Sequence, residues 1–100
     1  MSALTENTGK SQSVCRQLVV LNKAGMHARP AAAFVKLAGQ YSSEISVTKD
    51  GDTVNGKSII GLLSLAAGKG QNILVEASGR DALAALDALQ ELVDARFEED

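Results

Sequence analysis

The dipeptide Asp50-Gly51 is the feature that most restricts how this chain folds. The residues before it, 44–49 (EISVTK), alternate between apolar and polar side chains, as in a strand with one buried face. Glycine tolerates the positive φ of a type I′ turn, so Asp50-Gly51 predicts a hairpin with 52–55 as the returning strand. The sequence therefore predicts a fold that contains an antiparallel strand pair.

Apolar periodicity predicts two further strands and three helices around this hairpin. The strands are 16–21 (RQLVVL) and 72–77 (NILVEA), and the helices are 28–40, 58–66 and 81–97. Ser78 and Asp81 resemble a capping box before the last helix. The order β-α-β-β-α-β-α predicts the α+β class, with three helices on one face of a four-stranded antiparallel sheet.

Composition excludes several classes of function. A net charge of -2, 3% aromatic residues and no tryptophan argue against a nucleic-acid surface. One histidine and one cysteine cannot form an intrachain disulfide or a His/Cys metal site, so we expect neither metal nor cofactor. No apolar run approaches the ~20 residues that span a bilayer, and residues 1–13 lack a signal-peptide core. We expect a cytoplasmic protein with a flexible tail over 1–14 and one domain over 15–100.

The segment 25–30 (GMHARP) holds the only histidine, His27, just before the first predicted helix. Pro30 suits the first turn of a helix, so His27 lies at a helix N-terminus, which attracts anions. The guanidinium of Arg29 suits phosphate oxygens. These residues favour an imidazole that accepts a phosphoryl group. The alternative is that His27 is only a capping or exposed histidine.

A second segment of interest, 55–63 (NGKSIIGLL), contains Ser58 as the predicted N-cap of a short helix. A phosphate on Ser58 would gain from the helix dipole, so the serine is also a candidate regulatory phosphorylation site. The Gly-Lys-Ser order is reminiscent of a phosphate-binding P-loop, but the required upstream glycine is Gly51, which belongs to the hairpin turn.

Both segments, at this spacing, resemble the histidine-containing phosphocarrier protein (HPr) family of the bacterial phosphotransferase system. The similar region is 16–97, and it includes GMHARP at 25–30 and VNGKSIIGLLSL at 54–65. The family's order of strands and helices is the order predicted above. The resemblance implies the HPr-like open-faced sandwich.

The resemblance also implies roles for particular residues. His27 would receive a phosphoryl group on Nδ1 from phosphorylated Enzyme I and pass it to Enzyme IIA domains, as a carrier and not a multiple-turnover enzyme. Arg29 and the backbone amides of Ala28 and Arg29 would stabilise that group. Ser58 would be the target of HPr kinase/phosphorylase. The implied docking residues are Ala32, Lys36, Lys57, Ile59 and Leu63.

Some features leave the subtype open. Ala24 stands where many family members carry a polar residue, and the tail is longer than usual. Residues 22–27 and the acidic ending 97–100 resemble the nitrogen-related HPr paralogue, whereas the Ser58 segment resembles the sugar-system type. The alternative function is therefore a regulatory paralogue that acts on partners such as transcriptional regulators without sugar uptake.

Overall fold

Four strands and three α-helices follow one another in the order β-α-β-β-α-β-α, which confirms the predicted α+β class. The computed structural model describes residues 12–99. The elements are β1 (Gln12–Val19), α1 (Ala28–Ala38), β2 (Glu44–Lys49), β3 (Asp52–Asn55), α2 (Ile59–Leu65), β4 (Asn72–Gly79) and α3 (Ala82–Asp94), with a 3₁₀ turn at Arg96–Glu98. None of the described helices has both the length and the hydrophobicity to cross a bilayer.

The strands form one antiparallel sheet in the order β1-β4-β2-β3. β1 begins earlier than its apolar run predicts, because its register with β4 continues to the pair Gln12–Gly79. Residues 12–14 of the predicted tail are therefore strand, and the rest of that tail, 1–11, lies outside the described residues. The division of the chain into tail and domain stays a prediction.

The hairpin between β2 and β3 is the one that Asp50-Gly51 predicts. Both residues have positive φ, 52° and 87°, as a type I′ turn requires. The two ladders that β2 shares with β3 and β4 fix which residues of β2 face the helices.

The core lies between the sheet and the helices. Alternate residues of the two central strands are buried against it, and Phe34 of α1, Leu62 of α2 and Leu86 of α3 fill it from the helix side. The buried residues of β2 and β4 are Ile45, Val47, Ile73, Val75 and Ala77. The other face of the sheet is uncovered by these helices, so the fold is an open-faced sandwich.

The predicted capping box at α3 is wrong. Asp81 occupies the N-cap position, but its side chain makes no capping hydrogen bond. Its carboxylate accepts hydrogen bonds from the backbone N–H groups of Ser42, at 2.8 Å, and Ser43, at 2.9 Å, and from both hydroxyls. These bonds, with that from the Ser43 hydroxyl the largest cause, lower the pKa of Asp81 to about 2. Asp81 thus ties α3 to the loop before β2.

The last helix also ends before the predicted residue 97. Arg96, Phe97 and Glu98 have φ of 58°, 55° and 60°, a left-handed backbone that cannot continue an α-helix. Phe97 is buried, which holds this reversal against the core. The chain consequently turns back towards the N-terminus of α1 and places Glu99 there.

Candidate functional site

His27 occupies the N-cap position of α1. Its backbone carbonyl accepts the first hydrogen bond of the helix, from Ala31 N–H at 2.9 Å, but its side chain makes no capping bond. The ring is 43% exposed. The predicted position at a helix N-terminus is confirmed, and the imidazole remains free of a capping role.

The loop before His27 is hydrogen-bonded to the segment that follows α2. Met26 N–H donates to the carbonyl of Ala67 at 2.8 Å. Gly25 has φ +76°, and a Cβ there would lie 2.6 Å from the same carbonyl oxygen. Only glycine fits such a backbone at such a distance. Gly25 therefore fixes the direction from which the chain enters α1.

The first turn of α1 offers backbone donors beside the ring. The N–H groups of Ala28 and Arg29 precede the first intrahelical bond, and Pro30 has no N–H to offer. Arg29 is exposed, so its guanidinium is accessible to a bound anion. The positive end of the helix dipole adds to this field. The arrangement is suited to a phosphoryl group on the ring of His27.

A carboxylate that sequence reasoning missed lies against the same ring. Oε2 of Glu99 is 3.0 Å from Nε2 of His27. Asn22 Nδ2 donates to that oxygen at 3.0 Å and to the carbonyl of Gly25 at 2.8 Å. The hydrogen bond with His27, then that with Asn22, and then the charges of His27 and Arg29 lower the pKa of Glu99. The sequence signals were the acidic ending and the apolar anchor Phe97 within it.

The predicted N-cap at Ser58 is confirmed. Ser58 Oγ accepts a hydrogen bond from Gly61 N–H at 3.0 Å. The segment does not form a P-loop, because Gly56 N–H is bonded to the carbonyl of Ile45 at 2.7 Å and Lys57 Nζ to that of Tyr41 at 2.7 Å. These two donors bind backbone carbonyls of the fold, so they are not available to bind a phosphate.

Four of the five residues implied in docking lie on two helices that pack against each other, α1 and α2, and the fifth, Lys57, lies just before α2. Ala32 and Lys36 are exposed on α1, and Ile59 and Leu63 are exposed on α2. The most exposed large apolar residue of this region, Ile60 at 79%, was not predicted. The structure thus brings these positions to neighbouring elements, and their roles stay predictions.

A metal centre and a surface depression are two other kinds of site that such a fold can offer. Within residues 12–99, no three histidine, cysteine, aspartate or glutamate side chains are grouped to hold a metal ion. A surface depression of about 650 Å³ is lined by residues of β2, β3 and β4 together with Lys57, and it does not include His27. The candidate site is therefore the surface at the N-terminus of α1.

Residues 14–95 match the family model described as the PTS HPr component phosphorylation site. The chain is 42% identical to a phosphocarrier protein HPr of Treponema pallidum over 87 residues, which cover 87% of this chain and 99% of the relative. It is 49% identical over 74 residues to an HPr-like protein Crh of Halalkalibacterium halodurans, covering 74% of this chain and 88% of the relative.

A third relative is a phosphocarrier protein NPr of Shewanella violacea, 42% identical over 84 residues, which cover 84% of this chain and 92% of that protein. Among solved structures, the crystal structure of HPr-C-His from Thermoanaerobacter tengcongensis superposes with a TM-score of 0.84 at 41% identity. That match covers 87% of this chain and 98% of the other. Sequence and structure therefore agree on the relatives of this chain.

Proposed function

Because this chain belongs to the HPr family of phosphocarrier proteins, we propose that it accepts a phosphoryl group on His27 from phosphorylated Enzyme I and passes it to Enzyme IIA domains. Proteins of this family are carriers and not enzymes. In this relay the chain is phosphorylated and dephosphorylated once per cycle, and we expect the relay to operate in the cytoplasm.

The observation that carries the proposal is the exposed ring of His27 at the start of α1, where its side chain caps nothing. A nitrogen lone pair of the ring attacks phosphorus, and the phosphoryl oxygens then face the N–H groups of Ala28 and Arg29. The guanidinium of Arg29 supplies a planar pair of donors for two of those oxygens. Stabilisation of this kind, by donors already in place, is what phosphoryl transfer needs most.

Partners would dock beside this site on α1 and α2. Ala32, Ile59 and Leu63 supply apolar contact, and Lys36 supplies positive charge for an acidic partner surface. Lys57 contributes less freely, because its Nζ is bonded to the carbonyl of Tyr41. A small surface of this kind suits a transient complex in which charge raises the association rate.

Ser58 is the proposed point of regulation, with HPr kinase/phosphorylase as the modifying enzyme. A phosphate on its Oγ would stay next to Gly61 N–H and gain from the N-terminus of α2. The modification therefore would not need to disrupt the helix. It would add about 1.5–2 negative charges beside the apolar contacts Ile59 and Leu63, and so weaken docking of acidic partners.

The second candidate function is that of a regulatory paralogue. The observation in its favour is the 49% identity to an HPr-like protein Crh, with the similarity to a phosphocarrier protein NPr beside it. In this role, phosphorylation of His27 or Ser58 changes affinity for a transcriptional regulator or another partner and supports no sugar uptake.

Transfer of label from phosphoenolpyruvate through a bacterial Enzyme I tests the proposal. Wild type and Ser58→Ala should acquire an acid-labile label, and His27→Ala should acquire none. Addition of an Enzyme IIA domain should then discharge the label from wild type.

Two outcomes would contradict the proposal, the first its carrier function and the second its acceptor residue. Failure of wild type to be labelled by a cognate Enzyme I would remove it and leave the regulatory role. Labelling of His27→Ala would place the phosphoryl group on another residue. Folding of each variant is checked by its thermal unfolding, so that a lost label is not the result of a lost fold.

A further inference from the structure

We propose that Glu99 is a positioning residue for the phosphoryl acceptor: its carboxylate holds the Nε2–H of His27 and leaves the Nδ1 lone pair for transfer. The proposal rests on the function proposed above and adds a residue to it. Glu99 lies beyond the segment 14–95 that matches the family model, so its role does not follow from that match.

The contact defines which ring nitrogen carries the proton. A carboxylate has lone pairs and no hydrogen to donate, so at 3.0 Å from Glu99 Oε2 the Nε2 of His27 must be the donor. The neutral ring then has its free lone pair on Nδ1. Asn22 Nδ2 donates to the same carboxylate oxygen, which fixes the acceptor in place.

The carboxylate is held in its charged form. Its side chain is only 18% exposed, which by itself raises the pKa, but the hydrogen bonds from His27 and Asn22 outweigh this and lower the pKa. Asn22 is itself fully buried, and the bond from its Nδ2 to Gly25 O ties the acceptor to the loop that enters α1. Ring, carboxylate and loop therefore form one connected unit.

The negative charge of Glu99 in this unit offsets the positive charge that the ring of His27 acquires during the transfer. As the Nδ1–phosphorus bond forms, the bond between phosphorus and its donor atom on Enzyme I breaks, and the electron pair of that bond returns to the donor. No proton leaves His27, so its ring becomes cationic. The proton stays on Nε2 and remains hydrogen-bonded to the carboxylate of Glu99. The carboxylate balances that charge from the side of the ring opposite the new phosphoryl group, and Arg29 and the helix N-terminus face the group itself.

The first test examines the ring without any phosphoryl transfer. In nitrogen-15 spectra of the neutral imidazole, wild type should show the Nε2–H form alone. Glu99→Ala should show an added share of the Nδ1–H form, because its acceptor is gone. Glu99→Gln keeps an acceptor oxygen and should keep the wild-type form. Glu98→Ala, at the exposed neighbouring carboxylate, is the matched control and should equal wild type.

The second test measures acceptance from phosphorylated Enzyme I. Glu99→Ala should lower kcat about tenfold, the lower end of the loss of about 10–100-fold that follows removal of a partner hydrogen-bonded to a metal-binding histidine. KM for this protein should stay within about twofold of wild type. The kcat of Glu99→Gln should lie between those of wild type and Glu99→Ala, because glutamine keeps the hydrogen bond to Nε2–H and loses the negative charge. Glu98→Ala should leave both constants unchanged.

The outcomes separate this inference from the carrier function. Wild-type tautomer and kcat in Glu99→Ala, while wild type is labelled, would overturn the positioning role and leave the carrier intact. Thermal unfolding shows whether Glu99→Ala is still folded. If it is not, Glu99→Gln decides whether the negative charge of Glu99 contributes to kcat. If even wild type takes no label, the carrier function fails, and the tautomer measurement still decides whether Glu99 positions the ring.

Discussion

Two helix starts in this protein use the same local geometry in opposite ways. At α2, the hydroxyl of Ser58 accepts a hydrogen bond from Gly61 N–H and so caps the helix that Ser58 begins. At α1, His27 holds the equivalent position with an extended backbone, yet its ring points to Glu99 and to solvent. The first side chain stabilises structure, and the second is left free for chemistry. A helix start thus leaves a side chain available for chemistry when its N-cap residue makes no capping bond.

The sharpest way to break this contrast is His27→Ser, which places a capping residue at the start of α1. We expect complete loss of acid-labile label from phosphoenolpyruvate and Enzyme I. The unfolding free energy should stay within about 1 kcal/mol of wild type, because a serine cap stabilises by about that amount while the contact with Glu99 is lost. Label retained in this variant would contradict the assignment of the phosphoryl acceptor.

Gly25→Ala changes the residue that fixes the direction from which the chain enters α1. The strained φ costs about 1–3 kcal/mol, and the overlap with the Ala67 carbonyl costs a similar amount, so urea unfolding should show a loss of several kcal/mol. Phosphoryl acceptance should also slow. Gly51→Ala is the matched control, since its φ is +87° with no atom near the new Cβ. An equal effect of the two would mean that the contact with Ala67 is unimportant.

The third helix start extends the comparison, because Asp81 caps no N–H of α3 and binds Ser42 and Ser43 instead. Its pKa is lowered from 3.8 to about 2 in the folded state. The stability that it contributes is therefore present above about pH 4 and lost as pH falls to about 2. Acid unfolding of wild type and Asp81→Asn should show a difference that narrows over this interval. A constant difference would assign the effect to packing.

The smallest expected effect is that of Ser58→Ala. Loss of the N-cap bond to Gly61 should lower the unfolding free energy by about 1 kcal/mol in thermal or urea unfolding. Acceptance of phosphoryl by His27 should persist. Thr in place of Ser58 retains a capping oxygen and is the control, with a stability between those of Ala and Ser. A loss of label in Ser58→Ala would show that the two helix starts are coupled.

The sequence was most informative where local rules decide the structure. Alternation and the Asp50-Gly51 turn predicted β2 and β3 at their observed bounds, and the N-cap at Ser58 followed from residue type. The position of His27 at the start of α1 followed in the same way. In each of these cases the residues that determine the structure lie within a few positions of one another.

Prediction failed where a side chain has a distant partner. The sequence predicted that Asp81 belongs to a local capping box. Its carboxylate instead accepts a hydrogen bond from Ser43, which lies 38 positions away. Glu99 is 72 positions from His27, so no spacing rule could join them. The early end of α3 has a similar cause, because the burial of Phe97 stabilises a left-handed backbone that local preference disfavours.

The left-handed residues 96–98 have a practical consequence for work with this protein. They place Glu99 against His27, and Arg96 at the start of this reversal is exposed. A preparation clipped by a protease after Arg96 would lack Phe97 and Glu99, and its His27 would have no carboxylate at Nε2. Kinetics from such a preparation would describe a different ring from that of the intact protein. A mass measurement before each assay shows whether residues 97–99 are still present.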